Sequence, residues 1–339
     1  MKMALAVSAV LLLTGCVQAA PQASLSPAVT DTATVIASPS GAVPTPSPAA
    51  SPTTGLTCNL PVVVGSTPGF ITFPAGSFRA DPQPNIIRVS GWPFAPATIY
   101  DRPYARWLTI PRWFVSSDGS QYLFRGNDGS VHLVTMSTGS DNVLVASASS
   151  PSGNGWFPVG ISKDAAYIAT ASNMPGPAPA PFFGLWSVKL DGTGLKSITQ
   201  SGVWTIIGSG AAWGVTPQTS AALNHLDLST GASTAWVAPA DGAVFLYDVD
   251  AVGNPVIGVA SGDYFGVALV TAKDTLMTIT LPAGTYWGGL GHRVQNGLAT
   301  RSAIWITVED GSLLLSSDVK DFSLAATVAG VSNVAAECA

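Results

Sequence analysis

From about residue 57 to the last residue the chain runs in short apolar or alternating stretches, each broken by Gly, Asp, Asn, Ser or Pro. No long stretch carries the three-to-four-residue spacing of an amphipathic helix. Alternation of this kind places one side chain inward and the next outward along a strand, so the pattern predicts an all-β domain over 57–339. Three of the stretches repeat one another closely: Val131 to Gly139, Gly184 to Gly194 and Ala222 to Gly231 each run a strand into a turn closed by Thr-Gly. A second strand follows each turn, at Asn142 to Val145, Leu195 to Thr199 and Ser233 to Val237. Fainter copies turn at Lys273-Asp274 and Lys320-Asp321.

Taking Gly139, Gly194, Gly231, Asp274 and Asp321 as equivalent points gives a spacing of about 45 residues, the length of a four-stranded propeller blade. One blade cannot cover its own faces, whereas stacked blades bury both. Five units occupy Arg106 to Gly330, and Pro61 to Val89 supplies another. The expectation is a β-propeller of about six four-stranded blades, with seven as the alternative count and a two-sheet sandwich as the competing architecture.

Two hairpins, Trp113 to Phe124 through Ser116-Ser117-Asp118-Gly119 and Val159 to Ala169 through Ser162-Lys163-Asp164-Ala165, resemble the Ser-Pro-Asp-Gly hairpin of TolB-like (WD40-like) propeller repeats. The first copy has Ser in place of Pro; the second has Lys and Ala in place of Pro and Gly. The resemblance implies the propeller fold. Fold by itself does not imply an activity.

Ahead of the strands the pattern changes. Lys2 is followed by an uncharged apolar run, Ala4 to Leu13, the length of a signal-peptide core and too short to span a bilayer. Leu13-Thr14-Gly15-Cys16 resembles the bacterial lipobox, which implies cleavage after residue 15 and lipidation of Cys16; ordinary cleavage near Ala19-Ala20 is the alternative. Residues 16–56 are rich in Pro, Ser, Ala and Thr, with too few large apolar groups to offset ordering entropy, so they read as a disordered tether.

Charge removes one class of partner. Charged residues are 10% of the chain and the formal net charge is -5 with 14 Lys plus Arg, so no basic stripe exists to neutralise phosphates and nucleic acid is not an expected partner.

With Cys16 assigned to lipid, Cys58 and Cys338 remain, one at each end of the repeat region. An exported ring would bring its ends together, and an intramolecular disulfide is expected there; two free thiols or a bond to another chain are the alternatives.

Candidate chemistry is sparse. His132, His225 and His292 show no metal-ligand spacing, and neither a metal nor a cofactor is expected. His132 and His225 hold the same place in the repeated strand, which suggests a structural role. Asp118, Asp128, Asp191, Asp227 and Asp310 adjoin small turn residues and read as turn carboxylates. His292 and Arg293 sit on a Gly-rich loop. Asp248 and Asp250 have the spacing of same-face strand neighbours, which could place two carboxylates in one site. The stretch around Tyr100, Arg102, Tyr104, Arg106 and Trp107 concentrates cations and aromatic rings and is the candidate recognition loop. Catalytic residues are not identifiable.

The sequence thus favours a membrane-anchored, extracytoplasmic binding or scaffold module for a protein, peptide or glycan. The competing expectation is a secreted carbohydrate-active hydrolase or lyase with carboxylates in a propeller channel.

Overall fold

The structure is a computed structural model that describes residues 55–88, 99–171, 182–216, 221–250, 252–261, 264–282, 294–299, 303–317 and 319–339. Strands β1 (Asn59–Val64), β2 (Thr67–Thr72) and β3 (Ser77–Ala80) open the first sheet. The second is short: β4 (Ile86–Ile87), β5 (Ile99–Asp101) and β6 (Arg106–Leu108). The third holds β7 (Gln121–Arg125), β8 (Val131–Thr135) and β9 (Ser140–Val145). Four strands make the fourth, β10 (Trp156–Ile161), β11 (Ala165–Ala171), β12 (Phe182–Lys189) and β13 (Lys196–Thr199). The fifth has β14 (Ile206–Gly208), β15 (Ala211–Val215), β16 (Leu223–Asp227) and β17 (Ser233–Val237). The sixth has β18 (Ala243–Val249), β19 (Pro255–Ser261), β20 (Tyr264–Ala272) and β21 (Thr275–Ile279). The seventh has β22 (Val294–Ala299), β23 (Ile304–Val308), β24 (Ser312–Ser316) and β25 (Ser323–Thr327), after which β26 (Val331–Val334) returns to pair with β1.

These seven sheets are the seven blades of a β-propeller, the larger of the two expected counts. Within the fourth to seventh blades the strands run as antiparallel meanders in chain order. Their first strands, β10, β14, β18 and β22, lie side by side around the ring, and β22 meets β26. In the third blade the inner position is held by a single 3-10 turn, Arg112–Phe114, joined to β7 through a bridge between Val115 and Tyr122. The first blade is assembled from both ends of the described chain, in the order β26-β1-β2-β3, so the last strand is its innermost.

The blade absent from the sequence-based count is the second. Its strands are two or three residues long, and β4 pairs parallel to β6, so neither alternation nor a hairpin signal marks it. The repeat itself holds at the level of backbone angles. Gly139, Gly194 and Gly231 have φ of 69°, 69° and 73°, and Asp274 takes the same left-handed position at 57°. Aspartate tolerates that region better than most side chains. The seventh blade departs from the pattern: its turn has Val319 at 59°, and Asp321 instead forms a parallel bridge with Thr280 of the preceding blade.

Tryptophan fills the seams between sheets. Trp107, Trp156, Trp204 and Trp305 are fully buried; Trp156 meets Trp186 edge-on at 5.3 Å, and Trp305 lies 6.2 Å from Phe73, joining the seventh blade to the first. Such pairs add roughly 0.5–1.5 kcal/mol beyond the area they bury.

Candidate functional site

The ring closes at a doubly fastened point. Cys58, just before β1, is bonded to Cys338, just beyond β26, with Cα atoms 5.6 Å apart and 280 residues between them. The expected disulfide is therefore present. Beside it Arg102, from the turn after β5, donates from Nη2 to the carbonyls of Asn59, at 3.1 Å, and Glu337. These residues flank the two cysteines, so a side chain from the second blade grips both chain segments that the disulfide joins. Asn59 and Ala339 also exchange backbone hydrogen bonds.

This geometry assigns work to the stretch expected to be a recognition loop. Arg106 donates from Nη1 to the Met136 carbonyl at 3.1 Å, tying the second blade to the third. Trp107 is fully buried, which corrects its expected place on a binding surface. Its indole N–H donates to Asp81, and its ring packs with Phe70 and Tyr100 at 5.8 and 4.8 Å. Tyr104 is half-buried against the core; Pro103 and Ala105 are the exposed tip. The stretch was singled out for its aromatic and cationic density, and most of that density faces inward.

Asp101, which the sequence did not single out, is the most unusual carboxylate here. It is 6% exposed and faces the Asp118-Gly119 turn so closely that a Cβ on Gly119 would lie 2.7 Å from its Oδ1. Oδ2 has no hydrogen-bond partner. Burial raises its pKa to about 6, against the smaller opposing effects of the Tyr104 backbone N–H and Arg106.

Inside the ring, Asp248 is 3% exposed on β18 and lies 3.6 Å from Nη1 of Arg112, on the inner turn of the third blade. The third and sixth blades are not neighbours, so the pair crosses the interior. The register slips between Leu246 and Asp248, and Asp250 lies beyond the end of β18. There it accepts from the backbone of Val252 and Asn254 and from the Asn254 amide. The two carboxylates expected to share a strand face are thus given to different tasks, an ion pair and a turn.

The histidines separate too. Both third-strand positions hold: His132 stacks on Phe124 of the second strand at 4.6 Å, and His225 meets Trp213 of the second strand at 4.7 Å. His225 also stacks on Trp236 at 4.4 Å, and burial lowers its pKa. His132 alone is drawn into a hydrogen-bonded chain. Its Nε2 is 2.8 Å from Ser130 Oγ, its Nδ1 is 2.8 Å from Asp141 Oδ1, and Ser130 donates to Asp128 at 2.5 Å. Asp128 and Ser130 lie in the turn that leads into β8 and His132 is the second residue of that strand, so their every-other-residue spacing is the signal that could have marked them. Asp141 joins them from the neighbouring strand.

Turn carboxylates behave as expected. Asp118 accepts from Ser116 and from the hydroxyl and backbone of Ser120; Asp227 accepts from Ser229 and the Thr230 backbone; each pKa falls to about 2. Asp128 and Asp191 are lowered by the same kind of bond. Among the described residues no three His, Cys, Asp or Glu side chains stand together as a metal site. Cys16, His292 and Arg293 lie outside the described residues.

No protein-family model matches the sequence, and no curated protein matches it. Solved structures resemble it only distantly.

YCF48 from Cyanidioschyzon merolae is 13% identical, with 65% of this chain and 72% of that chain covered and a TM-score of 0.43. An oligogalacturonate lyase in complex with manganese is 11% identical over 60% of this chain and 61% of its own, with a TM-score of 0.44. TolB from Acinetobacter baumannii is 14% identical over 78% of this chain and 64% of its own, at 0.36. Likeness at this level assigns no site and no activity; the fold stands on the sheet order above.

Proposed function

We propose that the chain is an exported lipoprotein whose propeller binds a protein, peptide or glycan through loops on its rim, held from the membrane by lipid on Cys16 and a tether over 16–56. The observation that carries the binding reading is the Arg112–Asp248 pair. The buried carboxylate of Asp248 has a cationic partner from the protein itself, a pairing that holds it ionised and supports a structural role over that of a general acid. The Cys58–Cys338 disulfide supports an extracytoplasmic location, because such bonds persist in oxidising compartments. Stable anchoring takes more than one acyl chain, as a lipidated N-terminal cysteine would supply.

Two experiments test the reading. The purified 57–339 domain is screened on glycan and peptide arrays, where retention without turnover is expected; cleavage of an arrayed glycan would replace it with the hydrolase or lyase reading. For the anchor, cells fed labelled fatty acid should yield labelled, membrane-bound wild type and an unlabelled Cys16→Ser protein. Label retained by Cys16→Ser would refute lipidation at that residue.

A further inference from the structure

The chain Asp128, Ser130, His132, Asp141 contains three contacts between polar atoms, of 2.5, 2.8 and 2.8 Å, and each needs one proton between its two atoms. Ionised carboxylates at the two ends bring none. Serine brings one. A neutral imidazole brings one more, leaving one contact with two lone pairs face to face; an imidazolium brings two and completes all three.

The connectivity from Ser130 through His132 to Asp141 is that of a hydrolase triad. Its use here is different. Ser130 is 1% exposed and its hydroxyl proton is directed to Asp128, so its oxygen is neither reachable nor free to attack. A Cβ on Gly126 would fall 2.7 Å from Asp128 Oδ1, 2.8 Å from His132 Nε2 and 3.0 Å from Ser130 Oγ, so this glycine roofs the chain closely.

We infer that these four residues form a proton-dependent latch, complete only when His132 is protonated on both ring nitrogens, which fastens β9 and the β7–β8 turn to β8. Asp128 holds the turn and Asp141 is carried by β9, so losing either contact frees one side of the blade. Two carboxylates and an aromatic ring surround the imidazole. Asp141 faces it from β9 and Asp128 from the turn, while Phe124 on β7 offers its aromatic face. Of the other titratable groups nearby, Arg125 on β7 turns away to the carbonyls of Trp156 and Asn154, and Tyr122 stands near Asp141 and Arg106. The latch is closed while the ring carries both protons and opens when one is lost; histidine is the side chain whose ordinary charge change falls between about pH 5 and 8.

Hydrogen exchange tests this on the intact protein, with protection factors of β9 amides measured at pH 5.5 and 8.5 and β13, the outer strand of the next blade, as internal control. In the wild type, protection of β9 relative to β13 should fall by about five- to tenfold at the higher pH, the effect of one hydrogen bond. Asp141→Asn supplies the missing proton from its amide to a neutral His132, so its β9 protection should be the same at both values. Asp128→Asn supplies it from the other end and serves if the first variant does not fold. A wild-type β9 whose relative protection is unchanged with pH, or an Asn variant as pH-sensitive as the wild type, would overturn the latch. Labelling of Ser130 by a fluorophosphonate would also overturn it, in favour of a nucleophilic serine.

Discussion

Arg112 and Asp248 face each other across the interior of the ring, Nη1 to Oδ2 at 3.6 Å, from blades that share no seam. The distance marks an ion pair rather than a short hydrogen bond. Asp248 also accepts the Val249 backbone N–H at 2.9 Å, so its charge is held by both a dipole and a cation. Because Asp248 is buried while Arg112 is 39% exposed, the two partners are not equivalent in their loss.

Removing the cation takes a charged partner from the buried anion. Arg112→Met should lower unfolding free energy by about 2 kcal/mol, less than the roughly 3–5 of a fully buried pair because water already reaches the guanidinium. Asp248→Asn should cost less, and the double variant should recover part of the Arg112→Met loss. Denaturant titrations of the four proteins read this as a coupling energy; simple additivity would show the pair to be indifferent.

Closure by two fasteners predicts cooperation between them. Reducing Cys58–Cys338, which closes a loop of 280 residues, should lower Tm, with a chain-entropy limit of about 6 kcal/mol. Arg102→Met should lower it modestly while the disulfide is intact and considerably more once it is reduced, since either fastener holds the same two segments. Thermal melts with and without reductant decide the matter. Equal Arg102→Met effects in both states would mean the two act independently.

The Asp101 carboxyl, with its pKa raised to about 6, costs stability when ionised. In the unfolded chain it releases its proton near its ordinary value of about 3.8, so stability is full below that value, falls as pH climbs toward 6 and is level above. Asp101→Asn should remove this slope and stabilise the protein at pH 7 by at most about 3 kcal/mol, two pKa units at 1.36 each. Chemical denaturation at pH 4, 5, 6 and 7 reads the difference between the two proteins.

Asp118 and Asp227 behave oppositely: serine hydroxyls and backbone N–H groups hold both near pKa 2. Their contribution is present above the ordinary carboxylate value and disappears as pH falls through about 2. Carboxyl-carbon NMR titration should find both midpoints well below those of exposed carboxylates, and Ser116→Ala or Ser229→Ala should raise the midpoint of the partner alone.

How far these features were legible depends on the distance over which each is written. The turn at Gly139, Gly194, Gly231 and Asp274 is local, so its recurrence disclosed the blades directly. The second blade is local too, but β4 and β6 are so short, and paired parallel, that no periodicity could accumulate. Cys58 and Cys338 could be matched because closure of a ring is a global constraint that two cysteines at its ends would satisfy. Arg112 with Asp248, and His132 with Asp141, needed three-dimensional placement or strand register that no spacing encodes. Tyr100 and Trp107 misled for the opposite reason: aromatic density identifies a packing seam as readily as a binding surface.

The arrangement of the first blade has a consequence for the order of events during synthesis. Among the described strands β1 to β3 are made before the rest, yet the inner edge of β1 has no partner until β26, the last of them in chain order, arrives to cover it. Until then that edge is an open template for pairing with other strands. A product truncated before Val331 would carry a permanently uncovered edge, so loss of β26 would show itself as aggregation rather than as a slightly weaker ring.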